Sequence, residues 1–341
     1  MASVPVDNEA YVRVHALRAG HFTLPEHLFV HPSSDTARQT VPSLSFLIEH
    51  VSLESKKTTR IVFDLGLRHP STNYPTPIQA HLATRRPMST EPNVVQSLAA
   101  GGLSTEDVDY VVYSHVHWDH IGDPKAFDKS TFVVGPGTLA LLNDNSAFRG
   151  SHSFFEPDLL PLSRTIELPP TTEAKESSSS IELPDPNAVT PMFTLPWAPH
   201  GSLPRVMDIF QDGSVMLVDA PGHLPGHINL LARTGPSKYN YLAGDACHDR
   251  RILSGERTIG EWSDEHGHIC CVHADKRQAE RTIAMIQQLE TDGVEVILAH
   301  DYKWEEKAEN QEVVMGPSEV DRVDSLGFLE LKKQPVQHVE H

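Results

Sequence analysis

The chain has 341 residues, enough for one large α/β domain or two modest ones with a sizeable buried core. Its 46 acidic residues outnumber 28 basic ones, and the formal net charge of −18 repels phosphate backbones and anionic headgroups, which argues against nucleic acid and membrane as partners. No apolar run approaches the roughly 20 residues of a membrane span, and residues 1–20 lack a basic start followed by an apolar stretch, so a cytoplasmic protein is expected.

In chain order, the β-rich runs are 45–49 (SFLIE), 60–64 (RIVFD), 108–113 (VDYVVY), 131–134, 215–219 (VMLVD), 228–232, 239–242 and 294–299 (VEVILA). Their β-branched and aromatic content and turn-like flanks predict strands. Helices are predicted over 93–100 before Gly101-Gly102, over 138–142, and most clearly over 276–289. In the last, Ala279, Ile283, Ile286 and Leu289 recur at helical spacing, with Asp275 as N-cap and Gly293 as an end signal. Residues 68–91 contain Pro70, Pro75, Pro77 and Pro87 and read as loop. Residues 169–199, rich in Pro, Ser and Thr, read as a long surface excursion onto which Phe193 and Trp197 can still pack. The expected organisation is a single domain over 1–331 with that insertion, followed by a flexible tail at 332–341.

The three cysteines, Cys247, Cys270 and Cys271, form no CxxC pair, and adjacent cysteines make poor disulfides. So low and odd a count suits a reducing compartment. The 21 histidines direct attention to metal chemistry.

Residues 114–123 read SHVHWDHIGD. A strand delivers this segment to a tip, where His115, His117, Asp119 and His120 emerge in one short turn. In extended backbone alternate side chains face one way, so His115 and His117 reach one point; the following turn swings Asp119 and His120 toward a neighbouring one. Imidazole and carboxylate suit Zn²⁺. Three histidines and an aspartate at this spacing outweigh the reading as surface histidines. Further ligands must come from other strand ends: VDAPGHLPGH (218–227) offers His223 and His227, YLAGDACHD (241–249) offers Asp245, and VILAHDYKW (296–304) offers His300.

The succession HxHxDH, PGHxPGH, GDA and a strand ending in HD resembles the metallo-β-lactamase superfamily, and within it is most similar to the N-acyl homoserine lactonase branch. The resemblance runs from about RIVFDLG to His300. It implies an αβ/βα four-layer sandwich with two mixed sheets inside and helices on both outer faces. It also implies two Zn²⁺ ions, with Mn, Fe or Co as substitutes: one ion on His115, His117 and His223, the other on Asp119, His120 and His300, with Asp245 bridging. In PGHLPGH the family's ligand matches the first histidine, which leaves His227 as a structural residue opening the next strand.

The chemistry expected of such a centre is attack of a metal-shared hydroxide on a ring carbonyl, with Asp119 orienting it or passing a proton. The branch commonly carries a tyrosine three residues after the bridging aspartate; here that position is His248. This histidine is read two ways, as a proton donor to the substrate carbonyl or leaving group, or as a solvent-facing loop residue. The substitution sets a cyclic ester (lactonase) against a cyclic amide or carbamate (lactamase) as the small-molecule substrate. A glyoxalase II-like thioesterase is disfavoured by the acidic run EEKAENQE at 305–312, and a superfamily nuclease by the net charge. A non-catalytic metal-stabilised protein would need four ligands rather than seven. A homodimer is left open.

Three features carry plainer readings beside functional ones. EHGHICCVH (265–273) fits no standard zinc knuckle and reads as a loop near the site mouth, its cysteines acting as small hydrophobes. Cys247 is balanced between pocket wall and core. Trp118 and Phe22 are candidate substrate contacts, with packing under the loop the favoured reading of Trp118.

Overall fold

The central strands are apolar on both faces, so each sheet needs cover on both sides. In the strand Ser45–Val51, Phe46 and Ile48 join one buried cluster while Leu47 joins another. The same split recurs in Val215–Asp219, where Val215 and Leu217 point one way and Met216 and Val218 the other. The inner cluster combines residues of two sheets, among them Ile61, Phe63, Leu217 and Leu230, and so lies between them. The outer cluster joins the opposite faces to Val94 and Leu98 of helix Val94–Ala100 and to Ile283 and Ile286 of helix Lys276–Thr291. This is the expected four-layer αβ/βα sandwich.

The computed structural model describes residues 10–146, 154–171, 192–312 and 327–328. Among them, one sheet has seven strands in the order Gly327–Phe328, Val12–Leu17, Ser45–Val51, Thr58–Phe63, Tyr110–Val112, Thr131–Val134, Thr165–Glu167. It is antiparallel from Val12–Leu17 to Thr58–Phe63 and parallel from there to Thr165–Glu167. The other has six strands in the order Ala198–His200, Leu203–Asp208, Val215–Asp219, Ile228–Gly235, Lys238–Leu242, Glu295–Ile297, of which the last joins parallel. No helix among the described residues is long and apolar enough to cross a membrane.

Two stretches differ from the sequence reading. Residues 68–91 are not all loop: Pro75 caps and Pro77 opens helix Thr76–Leu82, a position where proline's missing N–H costs nothing, and a further turn, Ala83–Arg85, follows. Residues 265–273 are partly strand, because Ile269–Cys271 pairs with Glu261–Ser263 as a hairpin. The helix of 93–100 carries Asn93 as N-cap with a reciprocal capping box to Gln96. Of the Pro/Ser-rich stretch at 169–199, residues 172–191 lie outside the described residues, as does the tail at 332–341. The flanks of that stretch meet: the indole N–H of Trp197 donates to Pro169 O at 2.8 Å, and Phe193 is buried against the Tyr110 ring.

Candidate metal centre

Four strand ends converge. SHVHWDHIGD follows Tyr110–Val112 and closes a turn with His120 N donating to His117 O at 3.0 Å. Gly122 ends it at φ +47, where a Cβ would lie 2.6 Å from Leu65 O, so only glycine lets the loop cross that close to its neighbour. The PGH loop follows Val215–Asp219. Gly222 sits at φ +127 with its Cβ position 2.2 Å from Ala279 N, and His223 O and Gly222 O accept from Ala274 N and Asp275 N. The loop is thereby pressed onto the start of helix Lys276–Thr291. Asp245 and His300 follow Lys238–Leu242 and Glu295–Ile297, which are adjacent parallel strands.

The result is two clusters sharing Asp245: His115, His117, His223 and Asp245, and Asp119, His120, Asp245 and His300. In each the candidate ligand atoms lie within 4.8 Å of one another, and all seven residues are buried. In the first, the three imidazole nitrogens are 2.9, 3.0 and 3.2 Å apart, close to the roughly 3.3 Å edge of a zinc tetrahedron. The two oxygens of Asp245 divide between the clusters. Oδ2 faces His115 Nε2 at 3.6 Å and His223 Nε2 at 3.5 Å, while Oδ1 faces His120 Nε2 at 3.2 Å and His300 Nε2 at 3.1 Å. Yet His120 Nε2 and Asp245 Oδ1 make no hydrogen bond. Buried polar atoms this close that decline to bond one another are aimed at a common third point, as ligands of one cation are. The donor set therefore fits the divalent metal that the fold implies.

The far sides of the rings are held. His120 Nδ1 meets Asp64 Oδ2 at 2.8 Å, His115 Nδ1 meets Ser114 Oγ at 3.0 Å, and His300 Nδ1 donates to Pro42 O at 2.9 Å. Asp64 also accepts from Ser114 N and Ser114 Oγ, both at 2.7 Å. His227 lies behind the centre: its Nδ1 meets Ala220 O at 3.0 Å and its Nε2 accepts from Asp245 N at 3.1 Å.

Electrostatics separate the two clusters. Burial pushes the Asp245 carboxyl up, but the nearby His300, His248 and His120 prevail and hold it well below the usual range. Burial and the adjoining histidines drive His115 and His223 well below theirs. His120 and His300 are raised, because Asp245 and its neighbouring carboxylates outweigh burial.

Above the metal positions lies a recess whose walls include Phe22, Trp118, His248, His81 and Arg85. A second recess shares Leu24, Phe29, His248 and His300 with it. The three substrate-contact candidates, Phe22, Trp118 and His248, are thus brought together; the rings of Phe22 and Trp118 meet edge to face at 5.1 Å. His248 is buried rather than solvent-facing, with Nε2 3.1 Å from Asp245 Oδ2. Cys247 is core, its thiol pushed up to about 12 by burial. His273, the last residue of the segment EHGHICCVH that the sequence marks as a loop near the site mouth, has its ring 5.2 Å from those of both His223 and His248, and the three form a further buried group of ligand-type side chains. Sequence reasoning missed Asp64, His81 and Arg85. The final residue of RIVFD was available as a signal for Asp64; nothing local marks the others.

A family model described as the metallo-beta-lactamase superfamily matches residues 41–268. The chain is 30% identical over 282 residues to the cytochrome P450 monooxygenase mpaDE' of Penicillium brevicompactum, an alignment covering 77% of this chain and 30% of that protein. It is 29% identical over 231 residues to the gamma-lactamase FDB1 of Fusarium pseudograminearum, covering 66% of this chain and 50% of that one. The chain therefore spans half or less of the length of these curated relatives. Among solved structures, a quorum-quenching N-acyl homoserine lactone lactonase superposes with a TM-score of 0.59 at 16% identity, covering 88% of this chain and 96% of that one.

Proposed function

The chain belongs to the metallo-beta-lactamase superfamily, and from that premise we propose that it is a metal-dependent hydrolase that opens a cyclic amide at a centre of two divalent cations. His115, His117 and His223 would hold one cation, Asp119, His120 and His300 the other, and Asp245 both. Zinc suits this donor set, with Mn, Fe and Co compatible with it. Bound there, the pair would supply a water acidic enough to be a nucleophile near neutral pH and would polarise the ring carbonyl.

The observation that carries the amide reading is the placement of His248. Its Nε2 lies 3.1 Å from Asp245 Oδ2 and its ring forms part of the recess wall. A ring nitrogen leaves as a poor anion unless it is protonated, and an imidazole at that wall is placed to deliver the proton. Asp119, facing His300 Nε2 at 3.4 Å, orients the attacking water and holds its proton. Phe22 and Trp118 pack the substrate ring and exclude bulk water. A cyclic ester is the second reading, since an alkoxide leaves without such help; the same residues serve it.

The test is mass spectrometry of zinc-loaded protein offered oxindole, an aryl-fused γ-lactam, and a long-chain N-acyl homoserine lactone, with His115→Ala as control. Addition of one water to oxindole supports the proposal. Addition to the lactone alone transfers the reading to the ester. No addition to either by protein holding two metals refutes the substrate class.

A further inference from the structure

One charged group in the recess takes no part in the reaction just described. Arg85 is 6% exposed and lines the recess beside Trp118 and His81. No hydrogen bond or ion pair joins its guanidinium to an acceptor among the described residues. The carboxylate whose field favours its charge is Asp119, which already faces His300 and His120. A guanidinium stays charged in proteins, and a buried charge is costly until it is paired.

The segment carrying Arg85 is fastened, so this cation is held where it is. Arg38 Nη2 donates to Thr84 O at 2.9 Å and Arg86 O at 3.3 Å. Thr23 Oγ1 donates to Pro87 O at 2.8 Å, and the backbones of His21 and Ser89 pair in both directions at 2.8 Å. His81 does not compete for an anion: burial and Arg85 bring its pKa down to about 4, so it is neutral at pH 7. Beyond the metal-facing residues and His248, the rest of the wall is apolar: Phe22, Leu24, Phe29, Trp118 and Val272. With a net charge of −18 the chain as a whole repels anions, so a local cation is what would make one welcome.

We propose that Arg85 is a specificity-determining residue that reads a carboxylate borne by the substrate away from the scissile carbonyl. The substrate class is then a small cyclic amide or ester with an aryl or other flat apolar body and one anionic substituent. The guanidinium fork meets both carboxylate oxygens, and the aromatic wall takes the body. This inference rests on the hydrolase reading for the word substrate, but the anion subsite stands or falls separately.

The experiment uses full-length, zinc-loaded protein and the variants Arg85→Met and Arg85→Lys. Its kinetic arm compares oxindole with a ring-carboxylated oxindole. Its binding arm compares, by calorimetry, indane-carboxylate with indane-carboxamide, neither of which has a ring to open. Metal content and Tm are measured for every variant, and Arg85→Lys is read where Arg85→Met fails to fold. Arg85→Met is expected to raise KM for the carboxylated lactam and Kd for indane-carboxylate by about 10- to 100-fold, leaving kcat and the neutral partners within about twofold. Arg85→Lys is expected between the two, since a point charge lacks the fork. Equal effects on acid and neutral partners, or none on either, overturn the inference while leaving ring opening intact. If no ring is opened yet indane-carboxylate binding is lost in Arg85→Met, the anion subsite stands and the hydrolase reading for these rings falls.

Discussion

Asp64 ties one metal-facing ring to the strand end behind it, and Asp64→Asn tests whether that tie matters. The carboxylate accepts three hydrogen bonds, from Ser114 N, Ser114 Oγ and His120 Nδ1, at 2.7, 2.7 and 2.8 Å. An asparagine keeps the shape but turns one acceptor into a donor. If its amide nitrogen replaces Oδ1, it meets the Ser114 backbone N–H, donor against donor. If it replaces Oδ2, Ser114 Oγ can rotate to accept, but His120 Nδ1 must then give up its proton. The neutral imidazole carries its hydrogen on one nitrogen only, so the proton passes to Nε2, the atom facing Asp245 Oδ1 at 3.2 Å. An Nε2–H cannot ligate. The expected loss is about 10- to 100-fold in affinity for the cation of the Asp119–His120–His300 cluster, or about 1.4–2.8 kcal/mol. The His115–His117–His223 cluster touches Asp64 only through Ser114 Oγ, which meets His115 Nδ1 at 3.0 Å, and its affinity is expected to fall less. Zinc competition against a chromophoric chelator resolves the two constants. Two unchanged constants, or two that fall together, would refute the claim that Asp64 sets the His120 tautomer.

Three further outcomes are expected. His248→Phe keeps an aromatic ring against Phe29 and removes the proton donor; kcat on oxindole should fall about 100- to 10,000-fold with metal content unchanged, as dialysis and metal analysis would show. Gly222→Ala combines a strained φ with a Cβ 2.2 Å from Ala279 N, so urea denaturation should show a loss of about 2–4 kcal/mol. Glu49 is held down to about 2 by the neighbouring His15, Arg60 and Arg13, which together outweigh burial. Its folded value is depressed, so its stabilisation is present above about pH 4.5 and lost as the pH falls through 2. Solvent screening at this partly exposed group leaves about 1 kcal/mol; Glu49→Gln should cost that at neutral pH and nothing near pH 2, measured as the difference in urea midpoints.

The readable parts of the molecule were those written in consecutive residues. Thr131–Val134 and Val215–Asp219 match the predicted strands residue for residue, because double-sided burial demands an unbroken apolar run. Helix Lys276–Thr291 and its Asp275 cap followed from a periodic face and a local side-chain bond. The helix Thr76–Leu82 was not legible. Four prolines within 68–91 pointed to loop, and the contribution of Ile78 and Leu82 to the outer core cannot be read from seven residues alone.

The candidate centre divides the same way. HxHxDH declares itself because a short turn converges side chains that are neighbours in the chain, and the resemblance supplied His223, Asp245 and His300 from strand ends. What the sequence by itself determined is therefore the apolar strands and the HxHxDH turn, and with the resemblance it named the seven residues that the fold gathers into two clusters. Tertiary structure alone decided which groups stand behind and above that set: Asp64 on His120 across 56 residues, His227 on the Asp245 amide across 18, His273 beside His248, and Arg85 in the recess wall. Those distances are settled by how two sheets pack and where a loop is fastened, and no local pattern of side chains encodes the sum of such packing choices.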